Sequence, residues 1–220
     1  MQLATPEITL KLDEWPSVEG HDMEFTLVYD GELYGASNNN PRAENKHHIR
    51  RQFHPQLRTL WRDRLSHWME RLQPSAKSRR IYAGLPMVEA LSAEYAVGDY
   101  RCVPLVTEPL ALACSLDILF LRREEGRSII KAGDIDNRLK TLFDALRNPQ
   151  NMSELAGTTP TEDEKPFFTL LQDDSLITEV HISTDKLLTP FDPTRAETCK
   201  LVIGVKLRPF RHTEWNEDFG

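Results

Sequence analysis

The feature that most constrains this chain is a strict alternation of apolar residues that is followed, a short distance later, by a helical spacing. The alternating residues are Leu110, Leu112, Cys114, Leu116, Ile118 and Phe120. The second set stands at i, i+3, i+4 and i+7 and comprises Leu139, Leu142, Phe143 and Leu146. A period of two predicts a strand, and a period near 3.6 predicts a helix from Asp136 onward. The helix should end near Asn148-Pro149, because proline cannot continue it.

Similar patterns predict the rest of the fold. Alternation predicts three further strands, at Phe25 to Tyr29, after Asp173-Asp174, and at Cys199 to Leu207. Helical spacing predicts a long amphipathic helix from Pro55 to Leu72, with Pro55 in its first turn. This order of elements predicts an α+β fold, a small mixed β-sheet with helices packed on it, built as a single domain. We expect 1–22 to be a polar lead, 148–163 a flexible loop and 209–220 a tail.

The composition is that of an ordinary soluble protein, with 220 residues and a net charge of −7. No apolar run approaches the roughly 20 residues that span a bilayer, so we expect no membrane association. The first residues lack the basic and apolar regions of a secretory signal. The three cysteines are odd in number and far apart, which favours reduced thiols in a cytoplasmic protein.

The charge is unevenly distributed. Between Arg42 and Arg80 there are 11 Lys/Arg and 3 Asp/Glu, a local net charge of +8 that leaves −15 for the remainder. Binding to phosphates depends on such local patches and not on the total charge. The segment is either a phosphate-binding surface or the solvated face of a helix.

Carboxylates flank the helix predicted from Asp136. Asp134 and Asp136 are two residues apart, so in an extended or turn conformation their side chains leave the same side of the backbone. Lys140 follows one helical turn later, and Asp173-Asp174 opens the next strand. If that strand packs beside the helix start, these carboxylates converge on one divalent cation, and Mg²⁺ prefers such hard oxygen ligands. The alternatives are a helix cap, an i,i+4 ion pair and an ordinary turn.

A family resemblance supports the metal hypothesis. The motifs that carry it are Ser37-Asn38-Asn39, Asp134-Ile135-Asp136-Asn137, Lys140, Asp144-Ala145-Leu146 and Asp173-Asp174-Ser175-Leu176-Ile177. In this order they resemble the signature of the RusA-type Holliday junction resolvases. The resemblance implies that Asp134, Asp136 and Asp174 are the essential carboxylates, with Asp173 assisting, and that Lys140 is the essential lysine.

The resemblance also implies a homodimer that cleaves branched DNA with Mg²⁺, for which Mn²⁺ could substitute. The matched core spans about 23–72 and 110–208, so 73–109 and 148–171 are insertions relative to the family. We therefore predict a metal-dependent endonuclease. The alternative is a nucleic-acid-binding or regulatory protein that keeps the fold without cleaving. The predicted DNA-contacting residues are Asn38, Asn39, Arg42, Lys46, Arg50, Arg51, Arg123, Arg127 and Lys131.

Overall fold

The computed structural model describes residues 8–11, 23–35, 42–70, 84–122, 132–188, 198–213 and 216. The strands are β1 Ile8–Lys11, β2 Met23–Glu32, β3 Ala96–Val97, β4 Tyr100–Val106, β5 Leu112–Arg122, β6 Phe167–Leu171, β7 Ile177–Lys186 and β8 Thr198–Pro209. The α-helices are α1 Ala43–Arg64, α2 Ser66–Met69, α3 Met87–Glu94 and α4 Ala132–Leu146. Three short 3₁₀ helices lie at Met152–Leu155, Glu162–Glu164 and Asp174–Leu176. The predicted α+β character is confirmed.

A five-stranded sheet forms the centre of the fold, in the order β1-β7-β5-β8-β2. Only the β5–β7 pair is parallel among its pairings, so the sheet is mixed as predicted. The apolar alternation in β8 gives the strand one buried face, because Cys199, Leu201 and Ile203 are buried and the residues between them are partly exposed. Part of the predicted lead is ordered into the sheet, since β1 pairs with β7 from Ile8 to Lys11.

A second sheet of three strands, in the order β3-β4-β6, is built from the two segments interpreted as insertions. β4 pairs with β6 in parallel, although about sixty residues separate them along the chain. The sheet carries a small apolar cluster of its own: Tyr100, Cys102, Leu155 and Phe167. The two insertions therefore fold against each other.

Helix α1 begins earlier than predicted. It starts at Ala43, so Pro55 lies in its interior and not in its first turn. An interior proline costs about 3 kcal/mol, but the apolar stripe that includes Leu57 and Trp61 is almost fully buried. Each such side chain stabilises the fold by about 1.5–3 kcal/mol, which outweighs the proline. Apolar spacing did not predict the first half of α1 because several of its buried positions are polar, such as His47 and His54.

Arg50 joins α1 to two other segments. Its side chain is fully buried. Its guanidinium donates hydrogen bonds to the carbonyl oxygens of Asp144 at 2.6 Å and Arg147 at 3.1 Å. These carbonyls lie at the end of α4, where helical partners are missing. The same guanidinium contacts the carboxylate and the carbonyl oxygen of Glu154, at 2.6 and 3.2 Å.

The segment 148–163 is not the flexible loop that its composition predicted. It contains two 3₁₀ helices, and Glu154 in the first of them also pairs with Arg147 at 3.0 Å. The second 3₁₀ helix begins with a capping box, in which Glu164 accepts a hydrogen bond from the backbone N–H of Thr161. Partners elsewhere in the chain therefore order this segment.

The three cysteines are free and buried. Burial raises the pKa of Cys102, Cys114 and Cys199 to about 12. None of the helices in the described ranges is long and apolar enough to cross a membrane.

We expect Arg50→Met to lower the free energy of unfolding by about 3–5 kcal/mol, because it leaves buried acceptors without donors. Urea unfolding followed by circular dichroism measures the change. Arg62→Met is the matched control, since Arg62 is exposed and pairs with its neighbour Asp63, and it should change the value by less than about 0.5 kcal/mol. Equal effects of the two substitutions would contradict the structural role of Arg50.

We also expect stability to fall as the pH drops from about 6.5 to 4. His47 is buried, and the loss of hydration, aided by the positive charge of Arg50, lowers its pKa to about 4. The unfolded chain binds this proton near pH 6.5, so the contribution of His47 is complete above that pH and is lost below it. His47→Gln should flatten the unfolding free energy over this window, whereas the exposed His48→Gln should not. An unchanged slope in His47→Gln would contradict the prediction.

Candidate functional site

Helix α4 carries two of the predicted site residues on the face that the sequence pattern predicts. Ile135 and Leu142 are buried on one side of the helix. Asp136 and Lys140, which are one turn apart, are both exposed. The amphipathic pattern predicted from Asp136 is therefore confirmed, and it places a carboxylate and an ammonium group together on the solvent side of α4.

The helix starts before the D-x-D pair, however. Because α4 begins at Ala132, both Asp134 and Asp136 lie within it, and not in an extended turn before it. Positions two apart in a helix are separated by about 200° around the axis. The argument that these two side chains leave one side of an extended backbone is therefore wrong. The side chain of Asp134 lies outside the described part of the structure.

Asp173 and Asp174 form a turn at the start of β7. Asp173 caps the 3₁₀ helix Asp174–Leu176 by accepting a hydrogen bond from the N–H of Ser175 at 3.0 Å. The hydrogen bonds from Ser175 hold the pKa of Asp173 below its usual range, and Arg147 contributes in the same direction. Asp174 itself is exposed. Asp173 therefore lies in a turn, which was the alternative to a metal site.

The turn lies near the end of α4 and not near its start. Asn148, just after α4, donates its N–H to the carbonyl oxygen of Leu171, two residues before Asp173. Asp136 precedes Arg147 by eleven positions, which is about 16 Å along a helix. Among the described residues, no three His, Cys, Asp or Glu side chains form a group that could hold a metal ion.

The basic residues of α1 are largely paired with carboxylates. Lys46 lies 2.7 Å from Asp144, and Arg51 forms an ion pair with Glu164 at 2.5 Å. Burial raises the pKa of Asp144, but the hydrogen bond and charge of Lys46 and the charge of Arg147 outweigh it, so this pKa lies below its usual range.

The prediction that Arg50 contacts DNA is wrong. Its buried guanidinium is bound by acceptors within the protein and is not positioned to contact a phosphate. The remaining members of the predicted DNA surface divide into two groups. Arg42 is described and has its guanidinium carbon 5.8 Å from the centre of the Tyr34 ring. Five others lie outside the described residues: Asn38, Asn39, Arg123, Arg127 and Lys131.

The segment after β2 also reaches α4, a contact that the sequence did not reveal. A Cβ atom built on Gly35 would lie 3.1 Å from the Cβ of Asn137 and 3.8 Å from the backbone nitrogen of Arg138. Such a close approach suits a residue without a side chain. The backbone at Gly35, the residue after Tyr34, therefore packs against the turn of α4 that carries Asp136.

A second polar region lies on the central sheet. A cavity of about 520 Å³ is lined by residues that include Asp117, His181, Gly204 and Lys206. His181 Nδ1 lies 3.1 Å from Asp117 Oδ1, on paired positions of β5 and β7. His181 is partly exposed. Apolar alternation could place these residues opposite the core, but only the register brings them together.

The chemistry of the α4 face fits a hard divalent cation and a phosphate. Mg²⁺ is commonly held by one or two carboxylates, with water and substrate phosphate completing its ligands. On this face Asp136 supplies the right donor type, and Lys140 adds a positive charge one turn away. Asp174 has the same donor chemistry at a different place.

We predict that Asp136→Asn weakens Mn²⁺ binding at least tenfold, because it removes an anionic oxygen ligand. The resemblance implies that Asp174 binds the same ion, so Asp174→Asn should also weaken Mn²⁺ binding. Isothermal calorimetry with Mn²⁺ measures each affinity. Asp185→Asn is the control, since Asp185 is exposed at the far end of β7. Mn²⁺ binding that is unchanged by Asp174→Asn would show that Asp174 does not contribute to the site of Asp136.

The chain was compared with known proteins by family, by sequence and by structure. No protein-family model, curated protein or solved structure matches it. The likeness to the RusA-type resolvases therefore rests on the residues themselves, from Asp134 to Lys140 and at Asp173-Asp174.

Proposed function

We propose that this protein is a Mg²⁺-dependent, structure-specific endonuclease that cleaves branched DNA such as four-way junctions. The observation that carries the proposal is the exposed pair Asp136 and Lys140 on one face of α4, within the motif that resembles the resolvases. A binding protein has no physical need for an acidic cluster beside its phosphate site, since carboxylates repel phosphate. Retention of both groups therefore favours hydrolysis.

Each group has a separate role in the proposed reaction. Asp136 would hold the cation, and the resemblance adds Asp134 and Asp174, with Asp173 assisting. When bound, Mg²⁺ supplies positive charge that neutralises the scissile phosphate and helps to activate water. The ammonium of Lys140 donates hydrogen bonds to a phosphate oxygen and stabilises the negative charge that develops there. The resemblance further implies a homodimer, in which two such sites act on symmetric strands.

The alternative of a non-cleaving nucleic-acid-binding protein depended on the basic segment Arg42–Arg80. Within α1, five of its basic residues pair with carboxylates: Lys46, Arg50, Arg51, Arg58 and Arg62. These pairs reduce the positive field that would attract DNA. The endonuclease is therefore the function that we favour.

We predict that the wild-type protein cuts a labelled four-way junction in Mg²⁺ faster than linear duplex. Asp136→Asn should abolish cleavage while junction binding stays equal or becomes tighter, because one negative charge near the phosphate is lost. Lys140→Ala should slow the chemical step by about 10²–10³-fold with little loss of binding. Single-turnover cleavage and gel-shift binding separate the two effects.

Matched controls are available on the surface. Asp163→Asn and Lys165→Ala alter an exposed carboxylate and an exposed ammonium in the segment before β6, and both should cleave normally. Undiminished cleavage by Asp136→Asn would count decisively against the mechanism. Loss of folding in Lys140→Ala would assign that lysine a structural role instead.

A further inference from the structure

Tyr34 is an exposed aromatic residue that is nevertheless held in place. It remains 39% exposed. Its hydroxyl donates a hydrogen bond to the Glu32 carboxylate, and its backbone N–H donates to the side chain of Asn45 at 3.4 Å. Asn45 in turn donates to the carbonyl oxygen of Glu32 at 2.8 Å. The ring is therefore fixed between the end of β2 and the first turn of α1.

Arg42 differs from the paired basic residues that follow it in α1. Its guanidinium packs over the Tyr34 ring at 5.8 Å, a distance at which a cation is attracted to an aromatic face. Its Nη1 is buried and makes no hydrogen bond in the described part of the chain. A buried donor without an acceptor is costly, so an incoming acceptor such as a phosphate oxygen would be bound favourably after a small rotation of the side chain.

The position of this pair relates it to the proposed site. Gly35, next to Tyr34, touches α4 at Asn137, the neighbour of Asp136. Aromatic rings beside cationic groups bind unpaired bases, because every base has a face that can stack and a phosphate that seeks positive charge. The contact of Gly35 with Asn137 therefore links the Tyr34 and Arg42 pair to the turn of α4 that carries Asp136.

We propose that Tyr34 and Arg42 form a stacking platform for one unpaired base of a branched DNA substrate. The platform rests on the proposed nuclease function and adds to it a reason for preferring branched over linear DNA. Bases at a branch point are unstacked at lower cost than bases within a duplex, so a platform of this kind selects the branch. Arg42, at one side of the ring, would bind the phosphate, and the aromatic ring of Tyr34 would stack on the base.

The test measures binding of a four-way junction and of linear duplex without divalent cations, so that cleavage does not interfere. Loss of one stacked base typically weakens binding by 1–3 kcal/mol. Tyr34→Leu, which keeps apolar bulk without an aromatic ring, should weaken junction binding by about 10- to 100-fold and leave duplex binding unchanged. Tyr34→Phe should restore junction binding, and Arg42→Ala should weaken it. Met152→Ala, which truncates a distant side chain that is 67% exposed, is the control.

Each outcome separates the platform from the nuclease. Equal junction binding by wild type, Tyr34→Leu and Arg42→Ala overturns the platform, even if the wild type cleaves. An equal loss on junction and duplex also overturns it, because the residues then act only on general affinity. Junction binding that depends on Tyr34 without cleavage in Mg²⁺ or Mn²⁺ supports the platform and overturns the nuclease. Absence of any DNA binding by the wild type overturns both. If Tyr34→Leu fails to fold, the comparison of Arg42→Ala with wild type decides.

Discussion

The buried guanidinium of Arg50 is the contact on which the arrangement of the helices depends. It binds the carbonyl oxygens that end α4 and the carboxylate of Glu154, so it joins α1, α4 and the segment after α4. Arg147 shares Glu154, and this sharing divides the carboxylate charge between two cations. A buried charge is tolerated only when its donors and acceptors are satisfied. The exposed face of α4 therefore keeps its orientation because a buried network holds the other end of the helix.

The same network explains why the count of basic residues overstates the unpaired positive charge of α1. The sequence shows a basic segment from Arg42 and an acidic segment near Glu154 and Glu164, far apart along the chain. The fold brings them together, and most of the positive charge of α1 is neutralised within the protein. Arg42 remains outside these ion pairs. Phosphate contacts are therefore expected at the start of α1 and on α4, and not along the whole of α1.

Periodicity predicted the elements whose partners are apolar and failed where the partners are polar or remote. β5, β8 and the buried face of α4 follow from alternation and helical spacing, because burying such faces is what stabilises them. Apolar spacing did not predict the first half of α1, because His47 and Arg50 are buried there with specific partners that no local sequence pattern reveals. Asp136 and Lys140 were predicted to share a face, and they do. The distance from Asp136 to Asp174 depends on the register of β7 and the path after α4, which are long-range properties.

The edge of the central sheet has a consequence for handling the protein. β1 is only four residues long, yet it covers part of the ten-residue strand β7, which pairs with β5 on its other side. Removing Ile8–Lys11 would leave the backbone groups of β7 opposite them without partners. Unpaired strand edges recruit other strands and promote aggregation. A shortened form lacking these residues would therefore be prone to self-association, whatever its effect on the α4 face.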